Sequence, residues 1–582
     1  MGLWRRVRRS GRRRLEHLRL RLAGGAALPQ LSALGIVSGL LAGAVIIAFR
    51  QLIENVQGLM LPGDTPENYE GLPALVRFLL PVGGAVAIGL VYQALPHAAR
   101  TGGVLHTIER LAYHQGYVPL RNAVAHFGGA ALAIITGQSV GREGPSVHLG
   151  AACGSQLGQS LQLPNNSVRT LVGCGTAAAI AASFNTPLAG VVFAMEVVMM
   201  EYTIAGFAPV ILAAVCATTL TRAVYGADPA FAVPSLESGT LIELPWIMVM
   251  GLVIGTLAAA FVHLLEVVTR RAMHLPPWTA IGLAGLVTGL CGLAVPQVMG
   301  IGYDTVSEAL NGHLALWALG ALIVVKLVAT TVGLGLGLPG GLIGPTLVIG
   351  AATGGAMGMI AHLVLPIEVS SDAFYAVVGM GAMMGATLQA PLAALTAMLE
   401  LTGNPNIIMP GLLALIVSGL TASELYKKES VFLMLMRTRG LDYRNDPVLQ
   451  SLRRVGVAGA IERRIAVLPR HIDRARARDV LKDGPRWIVI EEDHAPRALL
   501  PGADLAAFLE TKGEAAQIDL MEVPAKRREL APIAVQSDLQ EAYEILRRSG
   551  AGALYAQRQI APGINRIYGV LTEQDIESAY RY

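Results

Sequence analysis

Three short stretches hold the residue types needed to bind a small anion where water is scarce: Thr101-Gly-Gly-Val-Leu105, Gly141-Arg-Glu-Gly-Pro145 and Gly340-Gly-Leu-Ile-Gly-Pro345. Each opens an apolar, helix-like segment. A helix start presents unpaired backbone N–H groups and the positive end of the helix dipole, so an anion can be held there without a buried fixed cation. Glycine lets backbone approach the ion, and proline suits the first helical turn. Two other motifs raise enzyme chemistry. Gly137-Gln-Ser-Val-Gly141 matches G-x-S-x-G, which would make Ser139 a hydrolase nucleophile with His126 or His148 as base, but an Ala-rich apolar stretch precedes it where that motif needs a strand. Gly335-Leu-Gly-Leu-Pro-Gly340 fits G-x-G-x-x-G, yet it follows a membrane-like helix and not a dinucleotide-fold strand.

The elements that carry these stretches belong in lipid. Hydrophobic residues make up 53% of the chain and charged residues 15%, and the mean hydropathy is +0.52, outside the range of an ordinary soluble globule. The net charge of +4 is local: nine arginines fall within Arg5–Arg21, so the remainder is slightly acidic. That run lies just ahead of the apolar Leu31–Phe49 and reads as a positive-inside topology signal, so no nucleic-acid partner is expected. No small-residue cleavage site follows Leu31–Phe49, so the N-terminus is expected to be retained, in the cytoplasm. Cys153, Cys174, Cys216 and Cys291 are scattered through apolar segments with no C-x-x-C pair and no histidine at ligand spacing, which predicts no metal site.

Apolar stretches follow one another from about residue 30 to 440, and those at 76–96, 203–224, 246–268 and 314–335 are long enough to cross a bilayer. Those around 104–112, 188–200 and 390–402 are shorter and broken by Gly or Pro, which a membrane tolerates only where the freed backbone is buried in protein or faces a cavity. Two loops, Leu61–Leu75 and Gly226–Glu243, are acidic and lack Lys and Arg, and are expected outside. Lys427, Lys428, Arg437, Arg439 and Arg444 follow the last apolar segment, which places the C-terminal part in the cytoplasm with the N-terminus. An internal repeat is also present. Asn185-Thr-Pro-Leu-Ala-Gly is followed at eleven residues by Glu196, and Gln389-Ala-Pro-Leu-Ala-Ala at eleven residues by Glu400. Each is preceded by its own Gly-Pro turn, at Gly144-Pro145 and Gly344-Pro345. With the acidic loops both outside, the halves are inverted, and inverted repeats place their binding site at the interface, near mid-membrane.

Here the chain resembles the CLC chloride channel and transporter family. Gly141–Pro145, Gly340–Pro345 and Asn185–Gly190 with Glu196 look like that family's signatures, in its order. The resemblance implies an integral protein of the inner or plasma membrane, all-α and polytopic, with inverted repeats and broken helices, followed by a cytoplasmic α/β pair of CBS domains. The expected segments are a basic stretch 1–29, a transport domain 30–440 with repeats at about 30–225 and 244–425, a linker 441–465 and a CBS pair 466–582. It also implies a homodimer with one pathway per subunit, carrying chloride or a similar anion.

The family's gating carboxylate maps onto Glu143: ionised it blocks the anion's seat, and protonated or displaced it admits the anion. The alternative for such a glutamate is a buried ion pair with Arg142. The expected anion-binding set is Gly102, Gly103, Arg142, Glu143, Gly144, Leu342, Ile343, Gly344 and Phe432, with the backbone N–H groups of Glu143, Leu342 and Ile343 as the contacts.

Three departures stand out. Gly102 replaces the serine whose hydroxyl touches the family's central anion, Phe432 stands where a coordinating tyrosine often sits, and Val197 stands where proton-coupled members carry a second glutamate. The last favours a channel or a weakly coupled carrier over a strict chloride/proton antiporter, with Glu201 as another proton entry. The altered central site admits a fluoride exporter as the rival within transport. In the tail, short β-like runs at Trp487–Ile490 and Tyr568–Leu571 alternate with helix-like stretches such as Leu539–Arg548. Thr572 and Asp575 match a CBS motif that holds a nucleotide ribose, while the first repeat has only Leu500-Pro-Gly-Ala-Asp504. No other cofactor is expected than a regulatory adenine nucleotide there, and the tail is otherwise structural or dimerising. A nucleotide-sensing signalling protein without anion flux is a further alternative.

Overall fold

The computed structural model describes residues 16, 18–23, 27–63, 67–202, 204–227, 233–234, 241–441, 447–493, 495–511, 517–561 and 564–580. Most of the basic N-terminal run lies outside the described residues, as do Asp64, Asp228 and Glu237 of the two acidic loops. The chain divides into two compact units. One comprises Ser32–Leu157 and Arg169–Arg444, and the other Asn445–Tyr582 with Gly158–Val168 and the N-terminal residues to Leu31.

The first unit is helical. Its first half runs α1 (Leu28–Met60), α2 (Ala74–Ala94), α3 (Gly103–Tyr113), α4 (Leu120–Ile135), α5 (Glu143–Ser160), α6 (Asn165–Phe184), α7 (Pro187–Phe193) and α8 (Ile204–Tyr225). The second runs α9 (Leu244–Ala272), α10 (Pro277–Ala294), α11 (Tyr303–Leu310), α12 (Leu316–Gly335), α13 (Ile343–Val364), α14 (Asp372–Leu388), α15 (Pro391–Thr402), α16 (Ile408–Leu420) and α17 (Val431–Thr438). Among the described residues nine helical stretches are long and apolar enough to cross a membrane. Others are not: at 1.5 Å per residue, the 11 residues of α3 reach only about half the hydrocarbon thickness. Proline opens α7, α10 and α15, where its missing N–H costs nothing.

The inverted relation of the halves is explicit in the backbone. Residues 132–150 and 332–350 run through the same series of helix end, turn, bridge and new helix. The two elbows then meet: Gly141 N–H donates to the Gly341 carbonyl at 2.7 Å, and Gly341 N–H donates to that of Gly141 at 2.7 Å. The pairing is antiparallel, so a local two-fold axis relates the elbows. Behind them, helices cross at matched glycines. A Cβ on Gly150 would sit 2.1 Å from the Gly175 carbonyl oxygen, and one on Gly350 would sit 2.4 Å from that of Gly379, so neither crossing has room for a methyl.

The second unit is α/β. A sheet of order β1-β3-β4-β6-β7-β8 is built from β1 (Ile465–Pro469), β3 (Trp487–Glu492), β4 (Ala495–Pro501), β6 (Arg528–Ala534), β7 (Ala553–Ala561) and β8 (Ile564–Thr572), and β2 (His471–Asp473) pairs with β5 (Gln517–Asp519). Each half repeats strand, helix, parallel strand, antiparallel strand, helix. The stretch expected as a linker is structured: Pro447–Arg454 and Val457–Ala460 are helical. Its Leu452, Val457 and Ala458 are buried with Ile533, Leu554 and Leu571, so these apolar side chains order the backbone around them.

Candidate functional site

Glu143 is the first residue of α5 and is fully buried. Its Oε2 accepts the Gly344 N–H at 3.1 Å, at the start of α13, and its Oε1 accepts the phenol of Tyr303. The carboxylate therefore occupies a backbone donor at the positive end of the opposing half's helix. It does not pair with Arg142. That guanidinium lies 3.6 Å from Glu54, donates to the Ser183 carbonyl at 3.3 Å, and sits 5.0 Å from the centroid of the Tyr303 ring, a cation–π distance. Arg142 thus flanks Glu143 without a salt bridge to it.

Tyr303 was not legible as a site residue. It begins α11 after Gly300-Ile-Gly302, and two ionisable side chains brace that turn. Glu67, in the loop after α1, accepts the N–H groups of Gly302 and Tyr303 at 3.3 and 3.2 Å, and the Lys326 ammonium donates to the carbonyls of Val298 and Gly300 at 3.0 and 3.1 Å. Burial pushes the Glu67 carboxyl up to about 7, with Asp304 adding to the rise.

The remaining expected residues fall into two groups. Gly144, Leu342, Ile343 and Gly344 gather at the elbow contact, where a Cβ on Gly144 would lie 2.7 Å from the Cα of Gly341. Ile343 also lines an apolar cavity with Phe184, Phe193 and Leu347. Gly102 and Gly103 open α3 and are joined to α5 through His126 and His148. Phe432 is buried on α17, which packs against α3.

Val197 lies in a π-helical turn that ends α7, and the neighbouring Glu196 is spent on structure. Glu196 accepts the N–H groups of Leu392 and Ala393 at 3.2 and 2.6 Å, while Glu400 accepts those of Leu188 and Ala189 at 2.9 and 2.7 Å. Each repeat's glutamate caps the other repeat's Pro-initiated helix. Charge-assisted bonds of this kind contribute about 1.5–3 kcal/mol each, so Glu196→Ala or Glu400→Ala is expected to lower the melting temperature in detergent by several degrees. An unchanged melting curve in both variants would remove the capping role.

The hydrolase motif loses its chemistry. Ser139 Oγ lies 3.0 Å from Thr330 Oγ1, His148 is bonded to His106, and among the described residues no histidine is hydrogen-bonded to the serine. Gly335 ends α12, with no strand before it. In the tail, the Thr572 N–H and hydroxyl both donate to Asp575 Oδ2, at 2.8 and 2.7 Å, capping the helix that follows.

Residues 83–423 match the family described as Voltage gated chloride channel. A ClcB-like chloride channel protein of Ralstonia nicotianae is 34% identical over 400 residues, covering 66% of this chain and 92% of that one. The chain belongs to the CLC family. The H(+)/Cl(-) exchange transporter ClcA of Vibrio cholerae is 30% identical over 395 residues, covering 65% of this chain and 83% of that one. Among solved structures, a slow cyanobacterial Cl-/H+ antiporter shares the fold with a TM-score of 0.63 at 24% identity, covering 72% of this chain and 99% of that one. A CLC-type fluoride/proton antiporter does so with a TM-score of 0.58 at 24% identity, covering 70% and 98%. As a CLC member the chain is an integral membrane protein of anion transport, and the family consists of transporters and channels, not enzymes.

Proposed function

We propose that this CLC protein moves chloride or a similar small monovalent anion as a channel or weakly proton-coupled carrier, with Glu143 as its gate. The observation that carries the reading is the Glu143 carboxylate seated on the Gly344 N–H at the start of α13. A side chain that fills an anion's seat competes with the anion, and protonation or displacement opens the seat. Glu143, Gly144, Leu342, Ile343 and Gly344 form this outer seat, and Gly102, Gly103 and Phe432 border a central one. Val197 leaves no carboxyl at the position from which proton-coupled members feed the gate, which favours weak coupling. The functional unit in this reading is a homodimer with both termini cytoplasmic and a CBS-like tail that modulates it. The basic residues after α16 support that orientation.

Purified protein in liposomes, with anion efflux and proton uptake followed together, tests the reading. Chloride efflux with proton uptake near background is expected. Proton uptake in a fixed ratio to chloride would make the protein a strict antiporter, and fluoride leaving much faster than chloride would make it a fluoride exporter.

A further inference from the structure

The space beside Gly102 is already filled. A Cβ on Gly102 would fall 2.4 Å from Nδ1 and 2.5 Å from Cγ of His126, so the imidazole stands where a side chain at position 102 would begin. Gly102 has φ −159°, an extended backbone open to any residue, so glycine is required there for room and not for conformation. No side chain caps the helix that starts at Gly103. The ring of His126 reaches along that helix start, its Nε2 being 3.8 Å from where a Cβ on Gly103 would lie.

His126 is 5% exposed, and its Nε2 is buried without a hydrogen-bond partner. A buried, unpaired ring nitrogen costs free energy unless something outside the protein pairs with it. The neighbouring imidazoles do not. Arg110 Nε donates to His106 Nε2 at 3.1 Å, which leaves the His106 proton on Nδ1, directed at His148 Nε2 2.9 Å away. His148 in turn keeps its proton on Nδ1, and its ring meets His126 edge to face at 5.2 Å. Among the described residues no three His, Cys, Asp or Glu side chains converge as a metal site.

We propose that the Nε2–H of His126, beside the helix start at Gly103, is a ligand of the central anion and takes over from the hydroxyls absent at Gly102 and Phe432. The ligand class is a small monovalent anion such as chloride, bromide or nitrate. The inference rests on the reading of Gly102–Gly103 as the border of the central site.

Calorimetric titration with potassium chloride, on purified protein exchanged into a chloride-free buffer, tests it. One lost hydrogen bond to an ion corresponds to about 10-fold or more, so His126→Ala is expected to weaken chloride binding by that factor. His126→Gln, whose amide N–H reaches the place of Nε2, should retain most of the affinity. The double variant Gly102→Ser with His126→Ala should regain it, because the vacated ring leaves room for the serine hydroxyl. Wild-type affinity in His126→Ala overturns the proposal. So does a double variant or a His126→Gln variant that remains as weak as His126→Ala while eluting as folded protein. Glu143→Gln measured for flux reports separately: an unchanged pH response there removes the gate without touching the chloride titration of the His126 series.

Discussion

In liposomes, Glu143→Gln is expected to pass anions at least about 10-fold faster than the unaltered protein at neutral and alkaline pH, and to lose its response to external pH. The carboxylate holds its seat through the Gly344 N–H and the Tyr303 hydroxyl. Each is a hydrogen bond to a charged acceptor, of about 1.5–3 kcal/mol, and an incoming anion must displace both. A neutral amide makes weaker versions of these bonds and carries no charge to repel the anion. Glu143→Ala should behave the same way, since an empty seat is an open one. Efflux is the measurement, with external pH stepped across the neutral range. If both variants keep the original rate and pH response, Glu143 is not the gate.

The second large effect is predicted for Tyr303→Phe. This change deletes one of the two donors to the Glu143 carboxylate and keeps the ring that faces Arg142 at 5.0 Å and Phe184 at 6.1 Å. Losing one such bond lowers the occupancy of the closed position by about 10-fold or more, so flux should rise accordingly at neutral pH. In a Glu143→Gln background the same change should add nothing, because residues acting through one contact are not additive. Two results would sink the assignment: unaltered flux in Tyr303→Phe, or an increase of equal size in both backgrounds. A merely structural tyrosine would shift the melting temperature without this dependence on position 143.

The helix starts of the candidate site were readable along the chain because their chemistry is local. Gly141–Pro145 and Gly340–Pro345 announce helix starts through the conformations Gly and Pro allow, and α5 and α13 do begin at Glu143 and Ile343. The duplication was visible for the same reason, since equal spacing in two copies needs no three-dimensional knowledge. The helices at 74–94, 204–225, 244–272 and 316–335 followed from runs of apolar residues that only lipid would solvate. The stretch 441–465 reads as a linker because half of Pro447–Arg454 is polar, and its Leu452 matters only once a core exists to receive it.

Sequence by itself determined the membrane setting, the inverted duplication, the helix-start chemistry and the carboxylate placed among it. Tertiary structure alone decided who holds that carboxylate. Tyr303 meets Glu143 from 160 residues away, Glu196 and Glu400 exchange helix caps between the halves, and His126 fills the space that Gly102 leaves empty. The physical reason is that a helix start is set by its own few residues, whereas a hydrogen bond across two packed halves depends on how they close on each other, which no local pattern encodes.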